Sequence, residues 1–391
     1  MASIQKRPNG KWRARYRDDA GREHARHFNR KVEAQRWLDE VTASVVTGQY
    51  VAPDAGRITF QEYAEQWREA QVHRPSTAVV YEGHLRLRAY PAFGDRPMGS
   101  ILPSDIQSWV KRLTLTYSPA TVKISYVVVA SVFRQAIRDR KISVSPCDGT
   151  TLPKVPRAKV TEDQILTTDQ VLALQAAIPD RYRALVLLGV AAGPRISEAL
   201  GLTVDRTGLR PPSLHPKLRI DRQLVHRSGE PPYLGPPKRE ASIRDAPLPQ
   251  VAVEALAGHL AAFPPEPREM TVRDDAGRER VETVELVFTT ATGRPVKLSA
   301  LSKVWRPAVE AAGMDPDEVT YHALRHYYAS LLIRHGESVK VVQARLGHAS
   351  ATETLDCYSH LWPDSEDRTR AAVDSVLGAP ADSVRTVEVG R

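Results

Sequence analysis

Four short stretches carry residue types able to act on a phosphate ester. In "AAGPRISEAL" (191–200), Gly193 stops one helix and Pro194 suits the first position of the next, which puts Arg195 in a helix's first turn. Helix N-termini attract phosphate, and arginine adds a forked, permanent cation. In "TYHALRHYYASLLIRHG" (320–336), Thr320 reads as an N-cap and Gly336 as the stop, so His322 and Arg325 share one helical face. In "RLGHAS" (345–350), Gly347 ends a helix begun near Ser338 and leaves His348 at a helix-to-loop junction, with Tyr358 following ten residues on. In "YLGPPKREASIRDAPLP" (233–249), Lys238 falls at a turn between two expected strands, where its side chain reaches outward.

Each stretch alone also has an ordinary reading. Arg195 reads as a surface arginine paired with Glu198, His348 as a C-terminal histidine near the helix dipole, Lys238 as a solvated turn lysine, and Tyr358 as core or surface. His322 and His326 lie four apart, a metal-ligand spacing, but no acidic or cysteine third ligand is near. No metal is expected, and His326 reads as a packed, hydrogen-bonded structural histidine.

Their order and grouping are specific. The set Arg195, Lys238, His322, Arg325, His348 and Tyr358, carried by "GPRISE", "HALRH", "LGH" and "YSH", resembles that of the tyrosine recombinase (phage integrase) family. The chain departs from it at Ala323, where Asp is frequent, at Pro194, where an aliphatic residue is common, and at Cys357, untypical before the nucleophile and read as a packing residue.

The resemblance implies a site-specific DNA recombinase acting without a cofactor. Tyr358 would be the nucleophile, leaving a 3′-phosphotyrosine and a free 5′-hydroxyl. Arg195 and Arg325 would hold the non-bridging oxygens, with donors added by His322 and His348. Lys238 would protonate the leaving oxygen, His322 would be the base for Tyr358, and Glu198 would support the site. The implied partners are double-stranded DNA attachment sites of core and arm type, sister copies in a homo-tetramer, a host DNA-bending protein and an excision factor. The alternatives are a type IB topoisomerase-like relaxing enzyme and a non-catalytic DNA-binding regulator.

The elements that must position these residues read as a multidomain, mainly α chain with small β-sheets. Residues 3–29 alternate like three short strands, with turns at "PNG" and "DDAG", and a helix follows from Lys31 to Thr47. "TFQE" (59–62) opens a helix, 75–90 forms a second, "SDIQ" (104–107) caps a third, and 118–140 keeps helical spacing of apolar residues. Beyond about 160, "TTDQ" (167–170) caps a helix, 182–193 is a buried helix, and "LRIDRQLV", "PYLGPPK" and "IRDAPLP" are three successive strands. The polar segment 264–284 is expected to be a surface excursion, helices dominate from about 298, and 367–377 is a short amphipathic helix. The resemblance makes 1–52 an arm-type DNA-binding domain, 57–150 a SAM-like core-binding domain, 160–378 a mixed α/β catalytic domain and 379–391 a tail. It also implies that the core-binding and catalytic domains clamp a duplex, and that the last helix docks on a neighbouring copy.

Bulk composition agrees with a polyanion partner. Lys and Arg number 55 against 46 Asp and Glu, a net charge of +9. Residues 1–36 hold 11 Lys or Arg against 4 Asp or Glu, interleaved with Trp12, Tyr16 and Phe28, which marks a structured basic patch. Only Cys147 and Cys357 occur, fitting a reducing cytosol and excluding a cysteine-built zinc site. No run of 18 or more apolar residues and no apolar leader are present, so a bacterial cytosolic, nucleoid-associated protein is expected.

Overall fold

The computed structural model describes residues 3–17, 21–46, 50–52, 54–156, 160–209, 215–227, 229–362 and 366–377. The turn expected at 18–21, the helix stop near Gly48, part of the basic linker and the tail 379–391 fall wholly or largely outside these residues. The chain divides into two compact units, Met1–Pro156 and Arg157–Arg391.

The first unit opens with an antiparallel sheet of β1 (Ser3–Lys6), β2 (Trp12–Arg17) and β3 (Glu23–Phe28), followed by helix α1 (Lys31–Val46). Alternation along β2 buries Ala14 and Tyr16 and turns Arg13, Arg15 and Arg17 to the opposite face. The Tyr16 and Tyr50 hydroxyls meet at 2.6 Å and close this small core.

A second apolar cluster is built by α2 (Phe60–Ala70), α3 (Pro75–His84), α4 (Tyr90–Phe93), α5 (Pro103–Leu113) and α6 (Pro119–Arg138). Thr59 caps α2 as read, accepting from the Glu62 N–H at 3.2 Å. Two expectations need correction here. The helix expected over 75–90 widens into a π-turn at Leu85–Ala89, between α3 and α4. The cap of α5 is Leu102, not Ser104: Pro103 takes the first helical position, and the Asp105 carboxylate reaches back to the Leu102 N–H at 2.9 Å. Among the described residues α6, 20 residues in length, is long and apolar enough to cross a membrane. Its Val122, Val129, Val132 and Phe133 are buried in the helical core.

The second unit combines helices with two small sheets. It runs through α7 (Thr168–Ala177), α8 (Asp180–Ala192), α9 (Ile196–Leu200), β4 (Lys217–Ile220), β5 (Gln223–Val225), β6 (Tyr233–Gly235) and β7 (Arg244–Pro247). There follow α10 (Gln250–Ala262), β8 (Pro267–Arg273), β9 (Glu279–Glu285), α11 (Leu298–Ala311), α12 (Tyr321–Arg334), α13 (Val339–Leu346), α14 (Ala351–Tyr358) and α15 (Glu366–Leu377).

The three successive strands expected after α9 are four, in two sheets. β4 pairs with β7, while β5 pairs with β6 in a sheet of order β5-β6-β8-β9. Segment 264–284 lies largely at the surface, but as the regular β8–β9 hairpin, with Met270, Val272 and Val284 buried and Glu282 and Arg280 opposite Met270 and Val272 on the same face. Charged residues on both faces hid its half-buried alternation.

Helix α12 lies against α8, and Gly189 permits the approach: a Cβ there would stand 2.6 Å from Leu324 Cδ1. This packing carries the α12 residues His322, Arg325 and His326 to the end of α8, where Gly193 turns the chain into Arg195.

Candidate active site

Gly193 adopts a left-handed conformation (φ 59°) that ends α8. Arg195 follows as an extended N-cap residue, so the expected assignment corrects by one step: Arg195 precedes α9 instead of lying in its first turn, and Pro194 is not its first residue. The cause is Glu198, whose Oε2 accepts the Arg195 backbone N–H at 2.9 Å and whose Oε1 accepts Arg195 Nη1 at 2.9 Å. Nη1 also donates to Ser242 Oγ at 3.2 Å. The Arg195 side chain stays 35% exposed, while Glu198 is 2% exposed. Burial pushes the Glu198 carboxyl up, but Arg244 and Arg195 outweigh it and hold the group below its ordinary value.

Arg325 is almost fully buried, 1% exposed. Its Nη1 donates to the Gly193 carbonyl at 2.6 Å and its Nη2 to the Leu346 carbonyl. Burial, then Arg195 and Arg244, lower it to about 9, so it is cationic at neutral pH. One guanidinium thus ties the residue two before Arg195 to the residue two before His348. His322 is solvent-exposed on the preceding turn of α12 and meets the His326 ring edge-on, 4.6 Å between centroids.

Gly347 (φ 65°) ends α13 and releases His348, which is 8% exposed and shares a 2.9 Å hydrogen bond through Nδ1 with Thr354 Oγ1. Ser350 then caps α14, and Tyr358 is the last residue of that helix. Its ring is 1% exposed in a cluster with Ala329, Ile333, Val342 and Leu346. Its hydroxyl meets His326 Nδ1 at 2.6 Å. Burial raises the phenol above its ordinary range, and nearby Arg325 offsets only part of that. Burial, then His322, Arg325 and His348, lower His326 to about 4. The proton therefore rests on the phenol oxygen, and the neutral imidazole accepts it.

The ring in contact with Tyr358 is thus His326, one helical turn beyond His322, the residue expected to be its base. His326 is packed and hydrogen-bonded as read, but its partner could not be read from the sequence: the two residues are 32 apart and meet only when α12 and α14 pack. Lys238 lies exposed on the connection from β6 to β7. That connection is fastened to α14 by an ion pair of its neighbour Arg239 with Glu353, at 3.0 Å. Arg244, missed in the sequence, is the third member of the buried Arg195–Glu198 group, its Nη2 standing 3.0 Å from Glu198 Oε2.

The imidazoles give a stability prediction. His326 and His348 are each lowered from 6.5 to about 4 in the folded protein, mainly by burial. Between those values the unfolded chain binds protons that the folded one does not, so stability rises with pH there. Acidifying from pH 7 to pH 5 should lower the thermal midpoint, with each ring contributing up to about 1.4 kcal/mol per pH unit below 6.5. A midpoint unchanged between pH 7 and 5 would contradict this assignment of both rings.

Comparison with known proteins decides the family. Residues 263–364 match the family model described as Phage integrase family. Residues 2–47 match Phage integrase, N-terminal domain, and 59–114 match Phage integrase, N-terminal SAM-like domain. The putative prophage phiRv2 integrase of Mycobacterium tuberculosis is 28% identical over 387 residues, covering 96% of this chain and 95% of that one. The chain belongs to the tyrosine recombinase (phage integrase) family. The recombinase is also 27% identical to a tyrosine recombinase XerC-like protein of Caldanaerobacter subterraneus, covering 89% of this chain and 90% of that one. Among solved structures, its fold is similar to the Tn1549 transposon integrase in complex with transposon right end DNA (TM-score 0.63, 20% identity, 82% of this chain, 100% of that one). It is also similar to a lambda integrase tetramer bound to a Holliday junction (TM-score 0.57, 18% identity, 90% and 96%). The protein is a tyrosine site-specific DNA recombinase.

Proposed function

We propose that this recombinase integrates and excises a phage or other mobile element, with Tyr358 as the nucleophile. Tyr358 Oη bonds to the scissile phosphorus and the bond to the 5′-oxygen breaks, giving a 3′-phosphotyrosine. The phenol proton passes to an imidazole, and Lys238 gives a proton to the leaving 5′-oxygen. Reversal by another strand's 5′-hydroxyl rejoins DNA without ATP, because the ester is conserved. Arg195 and Arg325 stabilise the charge that grows on the non-bridging oxygens, with His322 and His348 as further donors.

One observation carries this reading: the buried Arg325 fork joins the chain before Arg195 to the chain before His348, and it lies within electrostatic reach of the Tyr358 phenol. In the resting state the phenol is latched to His326, which makes His326 a candidate for the first proton acceptor ahead of His322. Attack then requires the phenol to leave its buried seat for the phosphate held by the more exposed Arg195.

The partners follow the same reading. Residues 1–52 form the arm-type DNA-binding domain, with Arg13, Arg15 and Arg17 on the sheet face opposite the Tyr16 core as phosphate and base contacts. Residues 57–150 form the core-binding domain and 160–378 the catalytic domain. The protein works as a homo-tetramer on core and arm sites, with α15, whose Val373, Val376 and Leu377 are exposed, docking on a sister copy. A host DNA-bending protein and an excision factor complete the assembly.

Trapping tests this. With a nicked attachment-site duplex, the protein should form a covalent complex that survives denaturation, and two sites should recombine. Relaxation of supercoils with no recombinant product would assign it instead to type IB topoisomerase chemistry. Deleting residues 1–50 should spare core-site cleavage and weaken integration between full sites. Equal loss of both would remove the arm-domain assignment.

A further inference from the structure

The chemistry assigned above needs three chain segments in register: the turn bearing Arg195, the connection bearing Lys238 and the junction bearing His348. No single helix or strand contains them, and one side chain outside that set touches all three.

Arg244 begins β7, and its side chain is 5% exposed. Its Nη2 donates to Glu198 Oε2 at 3.0 Å, the oxygen that also accepts the Arg195 backbone N–H. Its Nη1 donates to the Ser242 carbonyl at 2.9 Å, in the connection that carries Lys238. Its Nε donates to the Arg345 carbonyl at 2.8 Å, three residues before His348. Ser242 reinforces the join, its Oγ accepting from Arg195 Nη1 and donating to the Gly347 carbonyl at 3.4 Å. The seam has no slack at Gly347: a Cβ there would stand 3.0 Å from Ser242 Cα and 3.1 Å from Arg244 Nη1.

We infer that Arg244 is a positioning residue for strand cleavage, whose forked guanidinium holds the Arg195, Lys238 and His348 segments in one geometry through Glu198, Ser242 and Arg345. The inference rests on the Tyr358 reading and deepens it. Arg244 meets no reacting atom; it acts through the groups that do. A lysine cannot substitute, because an ammonium on a flexible stem does not present planar donors to three acceptors at once. Removing one partner of a plain buried ion pair lowers stability, but by itself leaves the cleavage rate of the folded protein unchanged.

The experiment uses the full-length protein and a nicked core-site duplex, and measures the rate of covalent complex formation beside duplex binding and thermal unfolding. Arg244→Met should bind the duplex normally and cleave on the order of 10²-fold more slowly, the cost of a roughly ångström-scale misplacement. If Arg244→Met does not fold, Arg244→Lys, which keeps the charge, is expected to give the same slow cleavage with intact binding. A merely structural role is separated by coupling. The penalty of Arg195→Ala should be much smaller in the Arg244→Lys background, which keeps a cation beside Glu198, than in the parent, because Arg244 acts partly through Arg195. Parental cleavage rates in the folded variant, or fully additive penalties, overturn the inference. Absence of any adduct from the parent protein overturns the Tyr358 reading and this one with it, whereas an adduct from the parent with a parental rate in the variant overturns this one alone.

Discussion

Tyr358→Phe should abolish covalent DNA capture while leaving folding and duplex binding in place. The substitution removes one oxygen. The ring keeps its packing with Ala329, Ile333, Val342 and Leu346. What the fold loses is the 2.6 Å hydrogen bond to His326. Removing one partner and leaving the part-buried His326 nitrogen without it costs about 1–3 kcal/mol. The thermal midpoint should therefore drop by several degrees, at about 2–4 °C per kcal/mol for a unit of this size. The chemistry loses its nucleophile altogether. Cys357, the adjacent residue, does not substitute: burial and the Glu353 and Asp356 carboxylates push its thiol up, away from the reactive thiolate. The measurement is a denaturing gel of protein with nicked attachment-site DNA. A shifted, protease-sensitive band persisting in Tyr358→Phe would move the nucleophile elsewhere.

Local signals in the sequence were strong wherever one segment determines its own conformation. The alternation of "KWRARYR" around Ala14 and Tyr16 gave β2. Thr167 and Gln170 form the reciprocal cap that "TTDQ" announces. Gly193 and Gly347 both take the left-handed conformation that ends a helix. Signals failed where the outcome depends on what packs across the chain. The β8–β9 hairpin was hidden because Arg280 and Glu282 share the face of Met270, Val272 and Val284 and interrupt its apolar pattern. Tyr358 and His326 are each unremarkable in sequence, and their contact exists only once α12 and α14 are packed. Arg244 had a usable signal that charge concealed. In "RDAP" Arg244 and the buried Ala246 share the inward face of a period-2 strand, with Asp245 outward. An arginine on that face must find a buried acceptor, and Glu198 is the one it meets.

The second large effect is expected at Arg195, and the structure makes it cleaner to test than Arg325. Arg195→Ala removes a side chain that is 35% exposed and, among the described residues, donates to Glu198 and Ser242. Glu198 keeps the Arg244 guanidinium at 3.0 Å, so no buried carboxylate is left without a cation, and the fold should persist. Cleavage should fall on the order of 10²–10³-fold, the usual cost of deleting one donor to a developing oxyanion. Arg325→Ala is different in kind. It removes a 1% exposed guanidinium and leaves the buried Gly193 and Leu346 carbonyls without their partners. At about 1–3 kcal/mol for each orphaned acceptor, its loss of activity mixes catalysis with unfolding. Arg195→Lys sharpens the comparison: it restores the charge and not the fork, so a rate that stays well below the parent would show that two-point recognition of the phosphate matters beyond charge. The check is single-turnover cleavage of saturating nicked duplex, with binding measured separately. Full activity in a folded Arg195→Ala protein would reduce Arg195 to the surface partner of Glu198.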